Sequence, residues 1–258
     1  MEREREGARI ALVTGATRRA GIGAAICRAL AADGADTAFT HWNAYDATMD
    51  WGGDPDGPAA LKAELEGMGV RVAAFELDLS DPAAPARLMD AVERTLGPVT
   101  ILVNNAAYST HDGYEALDAA TLDNHYAVNM RGAMLLSVEF ARRFVVGPGG
   151  RIVFLTSGQG LGPMPDELAY AATKAAIEAF SLSLSAGVAA KGITVNTVDP
   201  GATDTGWMSE ALKQELLSRS SSGRLGMPDD AARLIAFLAS DAASWVTGQV
   251  VRSRGGVG

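Results

Sequence analysis

The 258-residue sequence lacks the features that mark secreted or membrane-bound proteins. It has a single cysteine, Cys27, so no disulfide can form within the chain. No apolar run is long enough to cross a bilayer, and no signal-peptide core precedes the first predicted strand. We therefore expect a cytoplasmic protein.

Positive charge is also scarce. Lysine and arginine total 22 against 31 aspartate and glutamate residues, which leaves a net charge of −9 and an isoelectric point near 4.8. Nucleic acids and anionic membranes bind surfaces that carry an excess of positive charge. We expect neither as a partner, assign no metal site, and predict a small-molecule substrate.

The sequence shows no internal repeat and no low-complexity linker. The motifs described below run through its whole length, so we predict one domain over residues 1–258, disordered at 1–7. Strands and helices alternate, which is typical of a parallel sheet with helices on both faces. The predicted strands cover 9–14, 36–41, 70–76, 99–103, 150–156, 193–198 and 248–252, and the predicted helices cover 22–33, 58–68, 82–96, 118–146, 168–191 and 229–240.

A glycine-rich turn follows the first predicted strand. The turn covers Thr14 to Gly23 and leads into an alanine-rich helical segment. A strand, a glycine-rich turn and a helix in this order are the context that a dinucleotide-binding motif requires. Backbone amides can approach a pyrophosphate there, at the positive end of the helix. This order predicts a nucleotide site.

A second motif combines two hydroxyls and an amine. Tyr170 and Lys174 are four residues apart and share one face of a predicted helix, and Ser157 stands 13 residues before the tyrosine. A neighbouring ammonium favours phenolate and lowers the pKa of a tyrosine. Tyr170 is therefore a candidate general acid/base, and Ser157 can hydrogen-bond a substrate oxygen.

Together with other elements in the same order, these motifs resemble the short-chain dehydrogenase/reductase family, in particular its 3-oxoacyl-acyl-carrier-protein-reductase-like subgroup. The resemblance covers nearly the whole chain. The further elements are Leu77-Asp78-Leu79-Ser80, Asn104-Asn105-Ala106-Ala107, Val128-Asn129-Met130-Arg131-Gly132, Asp199-Pro200-Gly201, 224–230 and 247–249. The resemblance implies an NAD(P)-dependent oxidoreductase with a doubly wound Rossmann fold and a seven-stranded parallel sheet.

The resemblance also implies roles for four catalytic residues. Tyr170 is expected to give or take the proton, while Lys174 lowers its pKa and binds the nicotinamide ribose. Ser157 is expected to orient the substrate carbonyl, and Asn129 to hold a water near Lys174. The residues assigned to the cofactor are Gly15, Thr17, Arg18, Arg19, Gly21, Ile22, Gly23, His41, Asp78, Leu79, Asn105, Ala106, Tyr170, Lys174, Pro200, Gly201 and Thr203.

The chain departs from the family pattern at three places. Five residues instead of three separate Gly15 from Gly21, Ala107 replaces a glycine, and Arg254 stands where an aspartate is usual. The longer glycine turn adds Arg18 and Arg19.

These arginines bear on the choice of cofactor. NAD sites place a carboxylate at the end of the second strand, where this chain has His41. The 2′-phosphate of NADP attracts cations, which Arg18 and Arg19 can supply, with His41 and Asn43 as further donors. We predict NADP in preference to NAD; the alternative is that both arginines are solvated loop charges.

Substrate contacts are expected from residues 158–168 and from 203–223, which we predict to form a lid. Trp207, Met208 and Leu212 either line the substrate cleft or pack the lid, and Tyr108, His111 and Met164 are weaker candidates. Residues 43–58 extend the loop after the second strand. They cover the adenosine, meet another subunit or form a surface excursion anchored by tryptophans, and we favour the last interpretation.

The predicted function is hydride transfer between NADP and a small-molecule ketone or secondary alcohol, with Tyr170 as general acid/base. The alternatives are a 3-oxoacyl-thioester reductase, an NAD-dependent dehydrogenase and an NADPH-sensing regulator. An acidic carrier protein would need a basic surface, for which Arg142 and Arg143 are the candidates, and we expect a free small molecule instead. The resemblance implies a homotetramer.

Overall fold

The sheet of this protein has seven parallel strands. The computed structural model describes residues 9–49, 51–145 and 149–256, so the predicted disorder at 1–7 lies outside the described residues. The strand order is β3-β2-β1-β4-β5-β6-β7. The strands are β1 (Ile10–Val13), β2 (Asp36–His41), β3 (Val72–Glu76), β4 (Ile101–Asn104), β5 (Gly150–Leu155), β6 (Ile193–Asp199) and β7 (Val250–Arg252). The predicted fold class is confirmed.

Helices cover both faces of the sheet, and each face has its own apolar cluster. The helices are α1 (Ile22–Ala32), α2 (Asn43–Asp46), α3 (Gly57–Gly67), α4 (Ala84–Thr95), α5 (Gly113–Ala116), α6 (Ala119–His125), α7 (Ala133–Arg143), α8 (Leu168–Val188), α9 (Glu210–Arg219) and α10 (Pro228–Ala239). One cluster joins the strands to α1, α3 and α10, and the other joins them to α4, α7 and α8. None of the helices in the described ranges is long and apolar enough to cross a membrane.

The prediction of one continuous helix over 118–146 is wrong. A π-helical turn, Tyr126–Gly132, separates α6 from α7, which ends at Arg143; residue 146 lies outside the described residues. At Gly132 the chain comes so close to the loop after β3 that a Cβ there would lie 2.8 Å from the carbonyl oxygen of Leu79. Apolar spacing continues through the turn, so the sequence does not reveal it. Such turns are frequent at functional sites.

The first turn of α8 is capped from a distant part of the chain. The residue before this helix, Glu167, makes no capping hydrogen bond with its side chain. Instead the buried carboxylate of Asp112 accepts hydrogen bonds from the backbone amides of Leu168, at 2.7 Å, and Ala169, at 2.9 Å. Asp112 thereby satisfies two free amides of the helix that carries Tyr170 and Lys174.

We expect Asp112→Ala to lower the free energy of unfolding by about 1–3 kcal/mol, because it leaves buried amides without an acceptor. Urea unfolding measures the change. Asp123→Ala is the matched control, since Asp123 lies exposed on α6 and exposed substitutions change stability by less than about 0.5 kcal/mol. Equal losses in the two variants would show that the cap does not stabilise α8.

Candidate active site

A large cleft opens at the carboxyl ends of the strands, with a volume of about 1460 Å³. This edge of a parallel sheet is where open α/β folds bind their ligands. Most of the predicted site residues line the cleft: Gly15, Thr17, Arg18, Gly21, Ile22, Gly23, His41, Asp78, Leu79, Asn105, Ala106, Ser157, Tyr170, Pro200, Gly201 and Thr203. Arg19, Asn129 and Lys174 are not among its lining residues.

The glycine turn is packed too tightly for side chains. Gly15 has a φ of 74°, which favours glycine, and a Cβ on Gly23 would lie 2.4 Å from the carbonyl oxygen of Gly15. The amide of Asn105 donates to the carbonyl oxygens of Thr14, at 2.9 Å, and Gly15, at 2.8 Å. The turn is thereby held open toward the cleft, and its residues fit the pyrophosphate of a dinucleotide.

Two of the predicted adenosine contacts have partners within the protein. Asn105, which we expect beside the adenosine ribose, uses its amide to hold the glycine turn. The Oδ1 atom of Asp78 accepts a hydrogen bond from the backbone amide of Ser80, at 2.8 Å. Both residues still line the cleft, so Asn105 and Asp78 shape its wall as well as border it, and their contact with the adenosine stays a prediction.

The two arginines of the glycine turn each lie beside an acid. The Nε atom of Arg18 lies 3.4 Å from Asp46, and that of Arg19 lies 3.6 Å from Asp54. Both acids belong to the segment between β2 and α3. Arg18 lines the cleft and Arg19 stays 59% exposed, so a phosphate contact by these arginines stays a prediction. The acidic partners come from a segment that is distant in the sequence and folds back onto the turn.

Tyr170 and Ser157 meet at the other end of the cleft. Both residues line it. Burial raises the pKa of Tyr170, the negative charge of Glu167 adds to this rise, and the Ser157 hydroxyl opposes it as a hydrogen-bond donor to the phenolate. The expected lowering of this pKa is wrong in this structure, because desolvation by burial is the largest effect.

Lys174 lies on the same face of α8 as Tyr170 but points to β5. Its Nζ atom is buried, donates to the carbonyl oxygen of Leu155 at 2.9 Å and lies 5.3 Å from the centre of the Tyr170 ring. Burial lowers the pKa of Lys174 to about 8. The ammonium is therefore adjacent to the phenol ring but bonded to the backbone.

Asn129 lies buried in the π-helical turn. Its Oδ1 atom accepts from the backbone amide of Tyr108 at 2.7 Å, and its Nδ2 atom donates to the carbonyl oxygen of the same residue at 2.9 Å and to the Thr173 hydroxyl at 3.0 Å. Asn129 therefore joins the loop after β4 to α8. The wide turn brings its amide to both partners at once.

One residue near the site was not singled out from the sequence. Glu178 accepts hydrogen bonds from the Thr156 hydroxyl, at 2.8 Å, and from the Gln159 amide, at 2.7 Å. These two residues flank Ser157, so Glu178 fixes the turn that presents the serine. Its spacing of eight residues from Tyr170, on one helix face, is the signal that could have identified it.

The unusual Arg254 has a structural partner. Its Nε atom donates at 2.7 Å to Asp199, which is buried at the end of β6. The guanidinium fills the space beside Gly158, where a Cβ would lie 2.3 Å from its Nη2 atom. The arginine is therefore accommodated by a buried acid and by a glycine next to Ser157.

The substrate end of the cleft has aromatic and apolar walls. All three weaker candidates, Tyr108, His111 and Met164, line it. On the side of residues 203–223, Trp207 and Leu216 line the cleft, whereas Met208 is buried and Leu212 is not a lining residue. Helix α9 buries none of its residues. The lid itself stays a prediction.

Comparisons with known proteins agree with this geometry. Residues 15–258 match the family described as Enoyl-(Acyl carrier protein) reductase. The uncharacterized oxidoreductase YjdA of Bacillus subtilis is 51% identical over 250 residues, which cover 96% of each chain. The protein belongs to the short-chain dehydrogenase/reductase family and is an NAD(P)-dependent enzyme of that family.

Two further relatives carry names that describe a cofactor. An NADPH-dependent aldehyde reductase-like chloroplastic protein of Arabidopsis thaliana is 36% identical over 256 residues, covering 96% of this chain and 93% of that protein. The crystal structure of a short-chain dehydrogenase from Burkholderia cenocepacia in complex with NADP superposes with a TM-score of 0.86 at 34% identity, covering 96% of this chain and 97% of that chain.

The buried ammonium leads to a prediction about stability. We expect Lys174→Met to raise the free energy of unfolding at pH 7 by about 2 kcal/mol. The pKa of Lys174 is about 8 in the folded chain against an ordinary value of 10.5, so burying its charge costs about 3 kcal/mol. The substitution removes this cost but also loses the hydrogen bond to Leu155, which lowers the gain in stability by about 1 kcal/mol. Urea unfolding measures the difference.

The sign of the effect can be checked with pH. Between pH 8 and 10.5 the unfolded chain binds one more proton at Lys174 than the folded chain, so the wild type gains stability as the pH rises and Lys174→Met loses this slope. The control is Lys62→Met, because the Lys62 side chain is 41% exposed beside Glu66. If Lys174→Met is no more stable than the wild type, the claim that the buried charge destabilises the fold is wrong.

Proposed function

We propose that this enzyme transfers a hydride between NADP and the carbonyl carbon of a small-molecule ketone or the corresponding secondary alcohol. One observation carries the proposal. Ser157 and Tyr170 line the same cleft as the glycine turn. This shared cleft supports the proposal, because a dinucleotide bound at the turn could extend toward a proton donor.

The residues of the chain have the following roles in this proposal. Ser157 holds the substrate oxygen beside the phenol, and Tyr170 exchanges a proton with that oxygen. Lys174 supplies positive charge next to the Tyr170 ring, and Asn129 holds the loop after β4 against α8. When bound, the nicotinamide supplies or accepts the hydride.

A protonated Tyr170 suits carbonyl reduction. A tyrosine with an ordinary pKa of about 10 already keeps its proton at neutral pH, and burial raises the pKa of Tyr170 further. A protonated phenol is ready to donate to a developing alkoxide, whereas alcohol oxidation needs a base at this position. The relative named as an NADPH-dependent aldehyde reductase-like protein supports the same direction.

We expect Tyr170→Phe to lower kcat for carbonyl reduction by about 10²-fold or more, because a positioned acid contributes about this much. NADPH oxidation with a panel of ketones and aldehydes measures the rate, and fluorescence titration shows that NADPH still binds. Tyr114→Phe is the matched control, since Tyr114 is 84% exposed. Turnover by Tyr170→Phe at the rate of the control would overturn the role of the phenol.

Preference for NADP rests on the end of β2. His41 stands there instead of a carboxylate, and its Nδ1 atom is buried with no hydrogen-bond partner among the described residues. We assign the 2′-phosphate contact to His41, since Arg18 and Arg19 lie beside acids. The NADP complex of the Burkholderia cenocepacia relative supports the same cofactor.

A comparison of NADPH with NADH tests this preference. We expect kcat/KM to favour NADPH, and His41→Asp to move the ratio toward NADH by about tenfold or more, because a carboxylate repels the phosphate and accepts bonds from free ribose hydroxyls. His41→Asn is the control, as it removes the imidazole without adding charge. Equal kcat/KM for NADPH and NADH in the wild type would refute the proposed preference for NADP.

A carrier-bound substrate has no comparable support. Arg143 is paired with Asp90, Glu93 and Glu139, and Arg142 is paired with Glu139, so neither presents an unpaired charge.

The homotetramer stays a prediction that light scattering can test. Exposed small residues on α8, together with Leu182 at 60% exposure, offer a face on which subunits can pack. The cytoplasmic location also stays a prediction.

A further inference from the structure

The segment between β2 and α3 lies against the cleft. It is described over residues 42–49 and 51–56 and contains the short helix α2. The sequence favours a surface excursion for this segment, yet half of its residues line the cleft: Trp42, Ala44, Tyr45, Asp46, Thr48, Met49 and Trp51. We call it the cover segment.

The first attachment of the cover segment is to the substrate side of the cleft. The Tyr45 hydroxyl accepts a hydrogen bond from the backbone amide of Ser109, at 3.1 Å, and donates to its carbonyl oxygen, at 3.4 Å. The ring of Tyr45 lies 5.5 Å from that of Tyr108. Tyr108 is the residue whose backbone Asn129 holds. Tyr45 thus packs on the loop after β4 that the site itself positions.

The second attachment is a buried ion pair. Asp46 is 8% exposed, accepts a hydrogen bond from the Trp51 indole at 3.2 Å and pairs with Arg18. The Arg18 guanidinium stacks 4.8 Å from the centre of the Trp51 ring and donates to the carbonyl oxygen of Thr205 at 3.0 Å. One arginine therefore ties the cover segment to the glycine turn and to the start of the predicted lid.

The two attachments hold Tyr45 close to the reacting groups. Asp46 and Tyr45 are adjacent in the chain, so the ion pair fixes the position of the tyrosine. Tyr45 and Tyr170 line the same cleft. Asn129 joins the Tyr108 backbone to Thr173, which lies one turn after Tyr170 on α8. The aromatic wall formed by Tyr45 and Tyr108 therefore borders the space beside Tyr170.

We propose that the cover segment forms a wall of the substrate cleft and that Tyr45 limits the size of the carbonyl compound that reaches Tyr170. This inference rests on the proposed function, because it assigns the substrate size of that same site. Arg18 and Asp46 are positioning residues in it, since they act through Tyr45. It predicts a preference for compact ketones over ketones with fused rings.

The test compares acetone, acetophenone and acetonaphthone as substrates of the wild type and of Tyr45→Ala. We expect the ratio of kcat/KM for acetonaphthone to that for acetone to rise at least about tenfold in Tyr45→Ala, the scale of steric discrimination in an apolar pocket. Tyr45→Phe keeps the ring and should keep the ratio within about threefold. Tyr45→Leu is the second variant if Tyr45→Ala does not fold. An unchanged ratio in the folded variant would overturn the proposal.

The ion pair of Arg18 with Asp46 allows an independent test of the proposal. Asp46→Asn should loosen the cover segment and move the ratio in the same direction as Tyr45→Ala. Asp54→Asn is its matched control, because Asp54 pairs with Arg19, which does not line the cleft. A shift of the same size in Asp54→Asn and Asp46→Asn would show that general loosening of the segment, and not the position of Tyr45, sets the ratio.

Failure of the proposed function is distinguishable from failure of this inference. If the wild type oxidises NADPH with none of the ketones or aldehydes, the proposed function fails. A crystal structure of the NADP complex then shows directly whether the cover segment forms a wall of the cleft. Tyr45 on Ser109 beside the nicotinamide ring would support the inference, and a cover segment displaced from the cleft would overturn it.

Discussion

The ammonium of Lys174 enters the interior where α8 passes β5, and there it donates a hydrogen bond to the carbonyl oxygen of Leu155. A buried charge is costly, so the surrounding structure must hold the helix in place. Asp112 holds its first turn, and Asn129 and Glu178 tie its inner face to neighbouring loops. These contacts keep the phenol on the helix at the mouth of the cleft.

Charge around the cleft is balanced locally. Arg18 lies beside Asp46, Arg19 beside Asp54, and Arg254 beside Asp199. In an acidic protein such pairing leaves little net positive field at the cleft. Because Arg18 and Arg19 lie beside acids, we assign the proposed phosphate contact to His41 at the end of β2 instead.

Much of the fold follows from the sequence. Strands buried on both faces carry runs of apolar residues, so β4 and β5 were predictable to within two residues. The π-helical turn between α6 and α7 was not, because its wider backbone leaves the apolar spacing unchanged. Within the site, the motif residues of the glycine turn and the Ser157–Tyr170 pair were predictable. Asp112 and Glu178 were not singled out from the sequence. Asp112 binds backbone amides of a distant helix, and the partners of Glu178 lie about 20 residues earlier in the chain.

The sequence by itself determined which groups are available and in what order, because spacings such as that of Tyr170 and Lys174 are set by one helix. The tertiary structure alone decided the direction of the Tyr170 pKa shift, the acid partners of Arg18 and Arg19, and the position of the cover segment. Desolvation and ion pairing depend on atoms that are close in space but distant along the chain. Local spacing carries no record of them.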